Sequence, residues 1–173
     1  MKAREIWKQV TEDRVDLLDQ LLQLLQEHRI RYCVIGGQAV NAYAAPLISL
    51  DLDLVIALEQ VEMAAALLAE RFTVRRFPHS INVSAPGSSL RVQIQTDDRY
   101  FAFVDRATPK EVLGVTLPVA RVEDVLQGKV WAFLDNERRN TKRQKDLADI
   151  ARLLDAYPHL RSQVPSEILH RLV

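Results

Sequence analysis

The chain has 173 residues, 23 Lys and Arg against 23 Asp and Glu, one Cys and a 48% hydrophobic fraction. That is the length of one domain, or one domain with a helical annex, and enough apolar content for a core without disulfides or structural metal. A net charge of zero argues against gripping nucleic acid by bulk electrostatics. The lone Cys33 excludes a disulfide framework and a Cys-based zinc site within one chain, and no run approaches the roughly 18 apolar residues of a membrane span. The start, MKAREIWKQV, carries charges with no apolar run behind them, so no secretory signal is expected, and a soluble cytoplasmic protein is.

Val15, Leu18, Leu21, Leu22 and Leu25 recur at helical spacing, which predicts an amphipathic helix capped by Thr11 and ending near His28. Its stripe either packs on its own domain or offers a homodimer or partner contact. Residues 32–35 read as a short buried strand containing Cys33, broken by Gly36 and Gly37. Residues 38–44 predict a short helix stopped by Pro46. Leu52, Leu54 and Ile56 alternate with Asp51, Asp53 and Val55, the period of a strand. Residues 59–71 are rich in Ala and Leu and read as a helix. Two alternating runs follow, Ile81, Val83, Ala85 and Leu90, Val92, Ile94, with a hairpin-type turn signal at Pro86, Gly87, Ser88 and Ser89. Residues 101–104 read as a further strand. Beyond Pro118 two helical stripes appear, Val122, Val125, Leu126, Val130, Phe133 and then Leu147, Ile150, Ala151, Leu154. The expected class is α+β: a small mixed β-sheet with flanking helices over residues 1–118, and a helical C-terminal part over residues 119–173.

Chemistry concentrates where Gly36 and Gly37 are followed, after thirteen residues, by Asp51, Leu52 and Asp53. Two aspartates one residue apart on a strand share a face, roughly 7 Å apart at Cα. Leu52 and Leu54 anchor the strand from the other side. Like charges on one face raise each other's pKa unless a cation neutralises them, and a hard divalent cation coordinated by carboxylate oxygens does so. A glycine pair removes side chains where a turn must approach a phosphate closely. Each element alone is common in solvated strand faces. The order strand, Gly-Gly, short helix, D-x-D strand is what makes them informative.

That order resembles the signature of the nucleotidyltransferase superfamily typified by DNA polymerase beta. Residues 34–43, VIGGQAVNAY, together with Asp51 to Asp53, are most similar to small bacterial nucleotidyltransferase-like proteins, among them the abortive-infection toxins of type IV toxin–antitoxin systems. Arg143, Lys145, Asp146 and Asp149 resemble the basic-acidic helix of their C-terminal part. The resemblance covers about residues 31–155 and implies a mixed sheet flanked by helices with a helical domain appended. It also implies that Gly36 and Gly37 form the phosphate-side turn and that Asp51 and Asp53 bind Mg²⁺ or Mn²⁺. In active relatives two metals align an in-line attack on the α-phosphate of a nucleoside triphosphate, here expected to be ATP, and pyrophosphate leaves.

The chain departs from that pattern in two places. A third carboxylate is expected on a neighbouring strand, but residues 90–95 read LRVQIQ, and parity puts Gln93 and Gln95 on the face opposite Val92 and Ile94. Gln can ligate through its carbonyl but cannot take a proton from a hydroxyl. Asp97 shares that parity and is the candidate substitute, though it lies about 13 Å along an extended chain from Gln93. Before the aspartates, where relatives often carry Arg and Thr, this chain has Leu47 and Ser49; Ser49 keeps a hydroxyl. Arg138, Arg139, Lys142, Arg143 and Lys145 form a basic segment free of acids that either holds phosphate or is a solvated helix junction. Lys129 matches a lysine of similar proteins and is a phosphate candidate beside Lys145, which is also spaced to pair with Asp149 at i,i+4. Asp146 and Asp149 read as residues that orient basic neighbours.

The four histidines lack metal-site spacing, Cys33 reads as a small core residue, and Tyr43 as core or a base-stacking ring. Two functions therefore stand: a nucleotidyltransferase acting on an RNA end, a protein hydroxyl or a small molecule, or a catalytically degenerate relative that binds nucleotide or a toxin–antitoxin partner.

Overall fold

A computed structural model describes residues 5, 6, 9 and 16–172; the Thr11 cap lies outside them. Seven strands form one mixed sheet in the order β3-β4-β5-β2-β1-β7-β6. The strands are β1 Tyr32–Ile35, β2 Asp51–Ile56, β3 Thr73–Phe77, β4 Ser80–Ser84, β5 Arg91–Gln95, β6 Thr108–Val112 and β7 Val115–Val119. The helices are α1 Leu17–Glu27, α2 Gly36–Tyr43, α3 Val61–Ala69, α4 Ala102–Arg106, α5 Val122–Leu134, α6 Asn140–Ala156 and α7 Ser166–Leu169. The expected α+β class is what the chain adopts.

The leucine stripe of α1 is buried: Leu17, Leu18, Leu21, Leu24 and Leu25 are each at most 2% exposed. Each such side chain stabilises the fold by roughly 1.5–3 kcal/mol, so this stripe is spent on the chain's own core. Leu52, Leu54 and Ile56 of β2, Val92 and Ile94 of β5, and Ile81 and Val83 of β4 point into that core with Ala64, Ala65 and Leu68 of α3. The opposite parity carries Asp51 and Asp53, with Gln93 and Asn82 at successive neighbouring positions across the sheet. No helix of the described residues is long and apolar enough to cross a membrane.

Three strands escape the sequence pattern. β3 and β6 are the sheet edges, and nearly all their side chains are exposed, so neither alternates. β6 and β7 also carry Pro109 and Pro118, which face each other across the hairpin and weaken a strand reading. The hairpin closes through Leu113 and Gly114, both at positive φ (55° and 76°), as a tight two-residue turn needs. Residues 101–104 are not a strand, which corrects the sequence reading. The Asp97 carboxylate accepts from the Arg99 N–H and starts a 3₁₀ turn over Asp98–Tyr100, and α4 follows. The three-residue spacing of Tyr100 and Phe103 sets both rings against Trp131 of α5. β7 pairs with β1, and every described element after it is helical.

Candidate active site

β1 runs straight into α2 through Gly36, whose φ is +68°, a conformation that L side chains rarely adopt. A Cβ built there would lie 2.2 Å from Oδ2 of Asp53. The glycine therefore makes room for the site's own carboxylate. Gly37 differs: its Cβ position meets Oγ of Ser49 at 3.8 Å, an ordinary contact, so this position is not crowded.

The short helix α2 then anchors the loop leading to β2. The Gln38 side-chain amide, itself 2% exposed, donates to the Ser49 carbonyl (3.3 Å). Asn41 holds the Leu47 backbone at both ends, donating to its carbonyl (2.6 Å) and accepting from its N–H (2.9 Å). Arg152 of α6 donates to Asn41 Oδ1 (2.8 Å) and to the Ala45 carbonyl. Ser49 Oγ accepts from the Asp51 N–H at 3.2 Å. Leu47 and Ile48 stand exposed beside this clamp. Gln38 and Asn41, three apart on one helix face, were not read from the sequence as site residues; polar side chains on the inner face of a short helix were the available signal.

β5 runs parallel to β2 and sets Arg91 opposite Asp51 and Gln93 opposite Asp53. The expected acidic neighbour is thus the amide of Gln93, in the place that parity assigned. Arg91, which the sequence reading passed over, puts Nε 2.6 Å from Asp51 Oδ1. Asp97 does not join the pair: it lies past the end of β5 and both its oxygens are held by Arg99 (2.9–3.2 Å). The Arg99 guanidinium keeps its carboxyl below the usual range.

The C-terminal helices bring cations to this face. Lys129 of α5 is nearly enclosed, with Nζ 2.9 Å from Asp149 and 3.2 Å from Asp146. Burial works to lower its ammonium, but the Asp149 and Asp146 carboxylates outweigh that and hold it above its ordinary value. Arg138 clasps the 1%-exposed Asp146 at 2.6 and 3.3 Å. Asp146 and Asp149 orient basic neighbours, as the sequence suggested, but Asp149 takes Lys129 and Arg152 rather than Lys145, which stands exposed. Within the basic segment Arg138 and Lys142 act on Asp53, while Arg143 donates to the Phe133 carbonyl and lies over its ring. Tyr43 donates to the Ala120 carbonyl (2.8 Å) and meets Tyr157 edge to face, so its ring is committed to packing.

Burial pushes the Asp53 carboxyl up to about 6; Lys129 pulls it down, Asp51 adds to the rise, and Arg138 and Lys142 pull it down further. A carboxylate enclosed this way is stabilised by any added cation. Two hard oxygen donors on one face suit a single divalent ion that completes its shell with water or phosphate. Among the described residues no three His, Cys, Asp or Glu side chains are grouped for a metal, so the fit is to two protein carboxylates, not three.

The crowding at Gly36 makes a direct prediction. Gly36→Ala forces a Cβ into both the left-handed conformation, about 1–2 kcal/mol, and the Asp53 carboxylate. The expected result is a folded protein that melts a few degrees lower, because Asp53 is displaced. Gly37→Ala, whose Cβ meets nothing closer than Ser49 Oγ at 3.8 Å, serves as the control in the same melting assay.

Comparison with known proteins bears on the fold and the family. No curated protein matches the chain. Among solved structures, ANT(2″)-Ia in complex with adenylyl-2″-tobramycin is 12% identical, with 92% of this chain and 99% of that chain covered at a TM-score of 0.63. An antigenic nucleotidyltransferase-like protein from Paracoccidioides brasiliensis is 20% identical over 96% of this chain and 87% of its own, TM-score 0.56. The lincosamide antibiotic adenylyltransferase LnuA, lincomycin-bound, is 12% identical over 79% and 95%, TM-score 0.51. At these identities the likeness shows the fold. Residues 36–171 match the family model described as nucleotidyl transferase AbiEii toxin, type IV TA system. A match over that much of the sequence places the chain in the AbiEii nucleotidyltransferase family.

Proposed function

We propose that the chain is a metal-dependent nucleotidyltransferase that moves a nucleoside monophosphate from a nucleoside triphosphate, ATP first among them, to an acceptor hydroxyl. The observation that carries this reading is the close approach of Gly36 to the Asp53 carboxylate, with Asp51 two residues before it on the same strand. Family membership and the adenylyl group in the ANT(2″)-Ia complex support it. Asp51 and Asp53 would hold Mg²⁺ or Mn²⁺, whose chemistry is to neutralise phosphate charge and align the attacking and leaving oxygens.

The chain's own residues do the rest. Gly37 and Ser49 border the phosphate side of the turn. Lys129 and Arg138 place positive charge toward Asp53, and Lys145 remains a candidate only for an outer phosphate contact, since it stands exposed. The acceptor oxygen attacks the α-phosphorus, the bond to the bridging oxygen breaks, and pyrophosphate leaves. Gln93 cannot take the hydroxyl proton, and Asp97 is held by Arg99. Asp53 and Asp51 are committed to the ion in this reading, so the acceptor proton passes to solvent water. The acceptor is an RNA end, a protein hydroxyl or a small molecule, and the protein works in the cytoplasm with an antitoxin partner.

The second reading, a catalytically degenerate nucleotide-binding relative, rests on Gln93 opposite Asp53. Radiolabelled NTPs with Mg²⁺ or Mn²⁺ separate the two. Label transferred to an acceptor, with pyrophosphate release, supports the enzyme. Nucleotide that raises the melting temperature while no label moves from any NTP supports the degenerate relative.

A further inference from the structure

We propose that Arg91 is the cation of Asp51 in the metal-free protein, and that the aspartate pair accepts a single divalent ion, which enters by displacing that guanidinium. This rests on the metal-dependent reading above and adds the number of ions and the residue that gates their entry.

The parallel ladder between β2 and β5 sets Arg91 opposite Asp51, and Nε and Oδ1 meet at 2.6 Å. Both side chains are well exposed, 69% for Arg91 and 45% for Asp51. Pairs of that kind are weak, because water and salt compete for both charges. Arg91 therefore shields Asp51 without locking it.

Asp53 behaves differently. Its Oδ2 lies close to where a Cβ of residue 36 would be, so it packs against the start of α2. It forms the static half of the site, and Asp51 with Arg91 forms the exchangeable half. The next position on β5 is Gln93, so the row flanking the aspartates reads cation then neutral amide. One divalent ion cancels two carboxylates. A second would find only the Gln93 carbonyl and phosphate oxygens, with the guanidinium of Arg91 nearby opposing it by like charge. Once displaced, that guanidinium stands next to a triphosphate bound at the ion, and supplies on that side the positive charge a second ion would bring.

The test is Mn²⁺ binding to the full chain, followed by electron paramagnetic resonance, with and without α,β-methylene-ATP. Circular dichroism melting confirms that each variant is folded. Wild type should bind one Mn²⁺ per chain in both conditions. Arg91→Ala should bind the same single ion about two- to fivefold tighter, the size expected from freeing Asp51 of an exposed pair. Gln93→Glu should add a second ion in the presence of the nucleotide analogue. Two ions in the wild type, an unchanged or weaker affinity in Arg91→Ala, or a single ion in Gln93→Glu would each overturn the proposal while leaving metal dependence intact. Absence of Mn²⁺ binding in every variant, with and without analogue, overturns the metal-dependent reading itself.

Discussion

Asp53→Asn should abolish nucleotidyl transfer, by about a thousandfold or more, while making the metal-free protein more stable at pH 8. The activity loss follows from removing a carboxylate that would hold the ion: several kcal/mol of phosphate-charge stabilisation disappear, at about 1.4 kcal/mol per factor of ten. The stability gain follows from linkage. Burial raises the Asp53 pKa from 3.8 to about 6. Between those values the folded state keeps the proton and the unfolded state has lost it, so stability falls as pH rises, and the loss is complete above the folded value. An asparagine has the same shape and no proton to lose. The variant and wild type should therefore melt together near pH 3.5 and separate at pH 8, the variant higher by about 3–6 °C, reduced from the full linkage by water reaching a partly exposed group. Melting in EDTA at the two pH values measures this. A variant that melts lower than wild type at pH 8 would show that Asp53 is stabilised in the folded state by its cations after all. Adding Mn²⁺ should then raise the wild-type melting temperature and leave the variant where it was.

What could be read in advance, and what could not, divides along one physical line. The β1, Gly-Gly, α2, β2 unit was legible because its signals are local. Alternation at Leu52, Leu54 and Ile56 sets the buried face, and with it the opposite face for Asp51 and Asp53. The place of Gln93 followed from the same parity applied to β5. Strands that face solvent carry no such signal, which holds for β3 and the Pro109 to Pro118 hairpin; Phe101 to Val104 has the composition of a strand, but Tyr100 and Phe103 pack on Trp131 from helical turns. In the site, residue type was legible and partnership was not. Arg91 lies forty positions from Asp51 and meets it only through the β2–β5 register. Lys129 was singled out as a cation, but its acid cage joins α5 to α6 across seventeen residues to Asp146. Asn41 and Arg152 are 111 residues apart. At Gly36 the sequence shows a glycine, and only the fold shows that the Asp53 carboxylate crowds the place of its missing side chain.

That acid cage has the largest expected effect on stability. Asp146 is 1% exposed and accepts from Lys129 at 3.2 Å and from Arg138 at 2.6 and 3.3 Å. Asp146→Ala removes the anion and leaves the enclosed Lys129 and the partly exposed Arg138 facing each other. Breaking a buried pair by deleting one partner costs about 3–5 kcal/mol, because the remaining charge has neither water nor counterion. Here Asp149 still holds Lys129 at 2.9 Å, which puts the expected loss at the low end, about 3 kcal/mol. For a chain of this length that corresponds to a fall in melting temperature of about 6–12 °C. Glu62→Ala is the comparison: its partner Arg76 is 52% exposed and Glu62 is 80% exposed, so losing this pair should leave the melting temperature close to wild type. Lys129→Met tests the same cage from the other side. It leaves Asp146 with Arg138 and Asp149 with Arg152, so it should cost less than Asp146→Ala. The order of melting temperatures should run Glu62→Ala, then Lys129→Met, then Asp146→Ala lowest. If Asp146→Ala instead melts level with Glu62→Ala, water reaches Lys129 and Arg138 freely, and the cage is not what fixes α5 and α6 beside the aspartates.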